Sequence, residues 1–294
     1  MLKGSLVALV TPFDQSNRVD FASLKRLIDF HVAEGSNGLV IAGTTGESAT
    51  LATGEHVELI ARAVEIAAGR LPILAGTGSN STAQTIELSV AVGNLGIDGY
   101  LVVVPYYNKP MQEGMLRHFS AIADAVDKPI MLYNVPGRTV ADLLPETVAK
   151  LARHDNIFAI KEATGDIGRL RDIQALVDDD FGLFSGDDFT ALSFIEQGGH
   201  GVVTVSGNVV PGKMAELCRL AAAGRHDEAQ TIDDSLQPLN AALFAESNPI
   251  PVKWAVNKMG LIPGNIRLPL TEYSADYHEQ MLSAMSGAGV ELVN

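Results

Sequence analysis

The chain has 294 residues, 21 Lys+Arg against 35 Asp+Glu, and a formal net charge of −14. Apolar residues make up 47% and charged residues 19%, which excludes a disordered chain. The acidic balance argues against nucleic acid or an anionic membrane as partner, because both are polyanions; a small anionic substrate met by a local Arg or Lys stays open. Cys218 is the single cysteine, so no intrachain disulfide forms and a cytoplasmic location is expected. It stands in an Ala/Leu-rich stretch and reads as a small buried hydrophobe. The first residues show no secretory pattern, and no apolar run reaches the roughly 18 residues that a membrane span needs.

Strands are predicted at 5–10, 38–42, 72–76, 100–104, 129–133, 157–161, 182–185 and 201–205. Each is short and nearly continuous in apolar residues, as strands buried on both faces of a parallel sheet are. Helix-period segments lie between them. Phe21, Leu24, Leu27, Ile28 and Val32 follow Asp20, an expected N-cap, and Ser81 is a second expected N-cap. Met115, Leu116, Phe119, Ile122, Ala123 and Val126 repeat the helical spacing. Beyond about residue 225 the strand pattern stops. Helices are predicted at 226–245, 250–259 and 274–287, punctuated by Pro249, Pro251, Pro263 and Pro269. Eight strand–helix units predict a (β/α)8 TIM barrel over residues 1–224, followed by a C-terminal α-helical domain over 225–294. A doubly wound open sheet is the alternative; it usually has fewer strands, and no Gly-x-Gly-x-x-Gly turn follows the first one.

In a barrel, function gathers where strands end and the βα loops begin. The polar residues there are Gly43-Thr44-Thr45-Gly46-Glu47-Ser48, Pro105-Tyr106-Tyr107-Asn108, Tyr133-Asn134-Val135-Pro136-Gly137-Arg138, Lys161-Glu162 and Ser185-Gly186-Asp187-Asp188. Lys161 closes an apolar run in which a lysine is out of place. An amine withdrawn from water is disfavoured as a cation, and a neutral amine is a nucleophile suited to a ketone. The plainer alternative is a lysine that snorkels to solvent or pairs with Glu162. Tyr133 reads either as a proton relay or as a core tyrosine. Thr44 and Thr45 read as a turn before a helix or as part of a carboxylate site. Arg138 is a surface arginine or a bidentate carboxylate clamp. Asp187-Asp188 reads as a helix cap rather than a metal site, and Asp178-Asp179-Asp180 as a solvated turn. The seven histidines show no metal-ligand spacing, and neither a P-loop nor a Gly-x-Ser-x-Gly elbow occurs.

Gly43-Thr44-Thr45-Gly46-Glu47, Tyr133-Asn134-x-Pro136 and Lys161-Glu162, in that order, resemble the pyruvate-dependent class I aldolase family, to which N-acetylneuraminate lyase belongs. The resemblance runs from Leu6 through Thr11-Pro12 to Asn248-Pro249-Ile250-Pro251-Val252-Lys253. Arg138, Tyr106-Tyr107-Asn108-Lys109-Pro110 and Leu183-Phe184-Ser185-Gly186-Asp187-Asp188 are similar to the branch that condenses pyruvate with L-aspartate 4-semialdehyde on the diaminopimelate route to lysine. Sialic acid lyases typically lack that arginine. The resemblance implies a Schiff base between Lys161 and pyruvate, with Thr45 on the pyruvate carboxylate and Arg138 on the carboxylate of the aldehyde. It implies a proton relay of Tyr133, Thr44 and Tyr107, the last acting in a neighbouring subunit, and a pocket shaped by Gly186 and Val203. It implies no cofactor and no metal, and a homotetramer built as a dimer of dimers. Another lyase or keto-acid dehydratase of the family, or a non-catalytic binding barrel, are the competing expectations. Ser48, Ala49, His56, Asn80 and Tyr106 match a lysine-inhibition pocket, of which Gln84 occupies a further position. Thr53 and Gln84 stand where lysine-sensitive enteric members carry histidine and glutamate. An amide holds an ammonium less well than a carboxylate does, so weak or absent lysine inhibition is expected.

Overall fold

The computed structural model describes residues 2–292; residue 1 and residues 293–294, at the ends of the two predicted spans, lie outside the described residues. Eight strands, β1 (Gly4–Ala8), β2 (Gly38–Ile41), β3 (Ile73–Gly76), β4 (Gly99–Val103), β5 (Ile130–Asn134), β6 (Ile157–Glu162), β7 (Gly182–Ser185) and β8 (Gly201–Thr204), pair in parallel and in chain order. β8 pairs back onto β1, so the sheet is the closed barrel that the alternation predicts, not an open one. The helices between strands are α1 (Phe21–Ala33), α2 (Thr53–Ala67), α3 (Thr82–Gly93), α4 (Gln112–Ala125), α5 (Pro136–Thr139), α6 (Pro145–Leu151), α7 (Ile167–Gln174) and α8 (Ala191–Glu196). α9 (Pro211–Ala222), α10 (His226–Leu243), α11 (Ile250–Lys258) and α12 (His278–Gly287) complete the chain. No helix among the described residues is long and apolar enough to cross a membrane.

Alternation along each strand builds two cores. Leu6, Ala8, Val40, Leu74, Leu101, Met131, Tyr133, Ala159, Phe184 and Val203 point inward and fill the barrel. Val7, Leu39, Ile41, Val102, Leu132, Ile160 and Val202 point outward against the helices. The outer core runs on through Leu217, Leu236, Leu239, Val252, Val256, Met281 and Met285, so the helices after residue 225 pack onto the same apolar layer as the last barrel helices. Asp20 caps α1 by accepting from the backbone N–H groups of Ala22 and Ser23, and Ser81 caps α3 through Gln84 N–H. Cys218 is buried, and burial pushes its thiol up to about 12.

Strand ends shift from the predicted ones for identifiable reasons. β1 stops at Ala8 although Leu9 and Val10 are apolar, because Val10 N–H leaves the ladder and donates to Asn208 Oδ1 at 3.0 Å. β3 and β5 start one residue later than predicted, after Pro72 and Pro129, which have no N–H to give. β5 and β6 each run one residue further, into Asn134 and Glu162, where a purely apolar criterion stops early. The segment predicted as one helix over 274–287 is a 3-10 turn, Ala275–Tyr277, followed by α12.

Candidate active site at the strand ends

Lys161 stands two residues beyond the inward-facing Ala159 on β6, so its side chain enters the barrel at the C-terminal rim. The β5–β6 register sets Tyr133 beside it. Both are buried, and Lys161 Nζ lies 4.2 Å from the centroid of the Tyr133 ring. Glu162 does not neutralise Lys161. It points to the outer face, where Oε2 accepts from Asn134 Nδ2 at 3.0 Å and Oε1 from Thr164 N–H at 2.8 Å. Burial holds its carboxyl above the ordinary carboxylate range despite those hydrogen bonds. Among the described residues no carboxylate forms an ion pair with Lys161. Gly186, one residue past β7, is the floor under this lysine. A Cβ there would stand 2.8 Å from Lys161 Cε and 2.6 Å from Ala163 Cβ. Val203 on β8 is buried among the inner residues.

The loop after β2 is turned sharply. Ala42 and Glu47 both take left-handed φ angles, and a Cβ on Gly46 would meet the backbone of Ala42 and Leu9 at 3.1 Å. Thr11 Oγ1 donates to Gly46 O at 2.7 Å. Thr45 is buried and its Oγ1 accepts from Asn248 Nδ2 at 3.0 Å, while Thr44 is half-buried at the rim. Glu47, at the end of the loop, is pinned by Lys253 Nζ at 2.5 Å and by Arg267 N–H at 3.1 Å. Arg138, exposed on α5, donates from Nη2 to Asn248 O at 3.3 Å. Thr45 and Arg138 therefore meet on one residue of the C-terminal segment.

Tyr107, after β4, has a left-handed φ of 76° and is 87% exposed, so it lies outside its own barrel's pocket. Its loop is tied down by Asn108 Nδ2, which donates to Asn80 O at 2.8 Å. Of the remaining predicted pocket residues, Ser48 and Ala49 lie on the 3-10 turn before α2, and Tyr106 is partly exposed. His56 is buried with Nε2 2.8 Å from Gly76 O, and burial lowers its basicity. Gln84 is exposed and accepts from Ser79 Oγ at 3.0 Å. Asp187 accepts from Thr190 N–H and Oγ–H at the start of α8, as a cap does. Asp188 is buried and accepts from the N–H groups of Val205 and Ser206. No cluster of three or more His, Cys, Asp or Glu that could hold a metal occurs among the described residues.

Sequence reasoning assigned no role to Asn248, Lys253 and Glu47. The available signal was a polar residue just before Pro249 and a lone lysine between Val252 and Ala255 on an otherwise apolar helix face.

Residues 1–288 match the dihydrodipicolinate synthetase family. The 4-hydroxy-tetrahydrodipicolinate synthase of Pseudoalteromonas atlantica is 54% identical over 291 residues, 99% of this chain and 99% of its own. The crystal structure of the chloride-inhibited dihydrodipicolinate synthase from Acinetobacter baumannii complexed with pyruvate has a TM-score of 0.97 at 45% identity, covering 99% of this chain and 100% of that one. The enzyme from Cyanidioschyzon merolae with lysine bound has a TM-score of 0.95 at 41% identity, covering 98% of each chain. With a buried lysine at the end of the sixth barrel strand and matches along nearly its whole length, the chain belongs to the dihydrodipicolinate synthetase family and is a lyase with 4-hydroxy-tetrahydrodipicolinate synthase activity.

Proposed function

We propose that Lys161 forms the Schiff base with pyruvate and that the enamine derived from it condenses with L-aspartate 4-semialdehyde. The observation that carries this reading is the Lys161–Tyr133 pair, buried and side by side with no carboxylate bound to the lysine. Nζ attacks the ketone carbon of pyruvate, and the carbinolamine loses water to give the imine. Loss of a methyl proton gives the enamine, whose carbon adds to the aldehyde. The amine of the adduct then attacks the imine carbon, closes the ring and releases Lys161. The protonated imine is the electron sink, so this chemistry asks for no organic cofactor or metal.

Thr45 and the backbone N–H groups of its loop hold the pyruvate carboxylate, and Arg138 holds the carboxylate of the aldehyde. Tyr133, Thr44 and Tyr107 of the partner subunit pass protons between the adduct and solvent. The exposure of Tyr107 supports its use across an interface, and with it a homotetramer assembled as a dimer of dimers. Gly186 leaves the room that Lys161 needs, and Val203 closes the inner wall. The barrel over 1–224 carries all of these groups, and the helical domain over 225–294 braces the loop that bears Thr45. A cytoplasmic enzyme with weak or absent lysine inhibition completes the reading, since Gln84 offers an incoming ammonium no charge.

Steady-state kinetics with both substrates tests this. A charge-assisted hydrogen bond contributes about 1.5–3 kcal/mol, or roughly 10- to 100-fold in affinity. Arg138→Ala is therefore expected to raise the KM for the semialdehyde by that factor and to leave the pyruvate KM within about twofold. An unchanged semialdehyde KM would remove Arg138 from the site. Faster turnover with a sugar-derived aldehyde than with the semialdehyde would reassign the substrate.

A further inference from the structure

We infer that Asn248 is a positioning residue that sets the hydrogen-bond direction of Thr45 and so readies it for the pyruvate carboxylate. This rests on reading Thr45 as the holder of that carboxylate. Asn248 belongs to the segment between α10 and α11, yet it is buried against the loop after β2. Its Nδ2 donates to Thr45 Oγ1 at 3.0 Å. A hydroxyl has one proton and two lone pairs. With a lone pair occupied by the incoming amide, the Thr45 proton is left to point elsewhere, and no acceptor takes it among the described residues. A buried hydroxyl with an unspent donor is what an incoming carboxylate needs.

Three further observations fit the same role. Asn248 Oδ1 is buried without a hydrogen-bond partner among the described residues, so the contact with Thr45 is the amide's one side-chain hydrogen bond. The Asn248 carbonyl accepts from Arg138 Nη2, which places the two carboxylate-holding groups on one residue. Five residues on, Lys253 grips Glu47 of the same loop, fixing the approach of Asn248 to Thr45. The direction of this hydrogen bond decides the role, because an Oδ1 that accepted from the Thr45 hydroxyl would spend its proton.

The test is the pyruvate KM of Asn248→Ala, Asn248→Asp, Thr45→Val and the Asn248→Ala/Thr45→Val pair, each with its thermal midpoint. Asn248→Ala is expected to raise the pyruvate KM about 5- to 20-fold, the loss of one hydrogen bond that orders a donor. It keeps the backbone carbonyl, so the semialdehyde KM stays within about twofold. Asn248→Asp has the native shape but is expected to do worse than alanine, because its carboxylate draws the Thr45 proton to itself. On the Thr45→Val background, Asn248→Ala is expected to add less than about twofold.

An aspartate variant with the wild-type pyruvate KM, or fold-changes that multiply in the double variant, would overturn the inference. So would loss of the folded state in the alanine and aspartate variants alike, which would make Asn248 a structural residue. Borohydride trapping with pyruvate alone separates this inference from the reading beneath it. No adduct in the wild type defeats the Schiff-base reading. A wild-type adduct with an unshifted half-saturating pyruvate concentration in Asn248→Ala defeats only the role of Asn248.

Discussion

Lys253 and Glu47 form an ion pair that is 1% and 0% exposed at the side chains. It joins α11 to the loop carrying Thr44 and Thr45, and its partners lie 206 residues apart in the chain. Removing one member of such a pair leaves an uncompensated buried charge and costs about 3–5 kcal/mol. At about 2.1 cal/mol/K per residue, 294 residues have an unfolding entropy of about 0.6 kcal/mol/K. Lys253→Met should therefore lower the thermal midpoint by about 5–8 °C. The orphaned Glu47 keeps only Arg267 N–H, and the loop it anchors loosens. A displacement near 1 Å at Thr45 reduces kcat/KM for pyruvate by about tenfold to a hundredfold. The paired variant Glu47→Gln/Lys253→Met removes both charges and should recover most of the lost midpoint, although not the activity. Scanning calorimetry at one protein concentration, with pyruvate kinetics below the transition, reads both effects. A midpoint within about 1 °C of wild type in Lys253→Met, or a double variant less stable than either single, would show that the pair does not anchor the loop.

Gly186→Ala should fold, because no left-handed φ requires glycine there, but its Cβ displaces Lys161; the rate of borohydride-trapped pyruvate adduct should fall at least about tenfold, and an unchanged rate would remove Gly186 from the pocket. His31 is buried with its basicity lowered by burial to about 3, while the unfolded chain takes up that proton near 6.5. Below 6.5 the unfolded state binds more protons, so stability falls as pH drops toward 3, by about 2 kcal/mol at pH 5. Urea unfolding of His31→Leu between pH 7 and 5 should show a shallower loss than wild type, and parallel losses would contradict this. Cys218, buried and held up to about 12, should react with iodoacetamide only on unfolding; labelling of the native protein at the unfolding-independent rate of a free thiol would show that it is reached from solvent.

The barrel was legible because its strands obey one local rule. Eight runs buried on both faces read as continuous apolar segments, and the helices between them carry their own period. The place of Lys161 was legible for the opposite reason, since a charge closing such a run breaks the rule. The strand ends were less legible, because apolarity and ladder pairing part company there. Leu9 and Val10 stay apolar after Asn208 has taken over a ladder position, and Asn134 and Glu162 pair in the ladder although they are polar. The clamp on the loop after β2 left only a faint local signal, a polar residue before Pro249 and a lysine on an apolar helix face. Thr45 meets Asn248 across 203 residues, and Glu47 meets Lys253 only because the last helices fold back over the rim. Asn248 and Lys253 stood in the motif that carried the family resemblance, but their roles follow from the fold alone.

The proposed reaction turns on Lys161 as the imine-forming nucleophile. Intact mass after treatment with pyruvate and borohydride, followed by peptide mapping, tests it directly, with Lys161→Ala alongside. One reduced pyruvate adduct per chain is expected, located on the peptide containing Lys161 and absent from the variant. No adduct on the wild type, or an adduct that persists in Lys161→Ala, would contradict it.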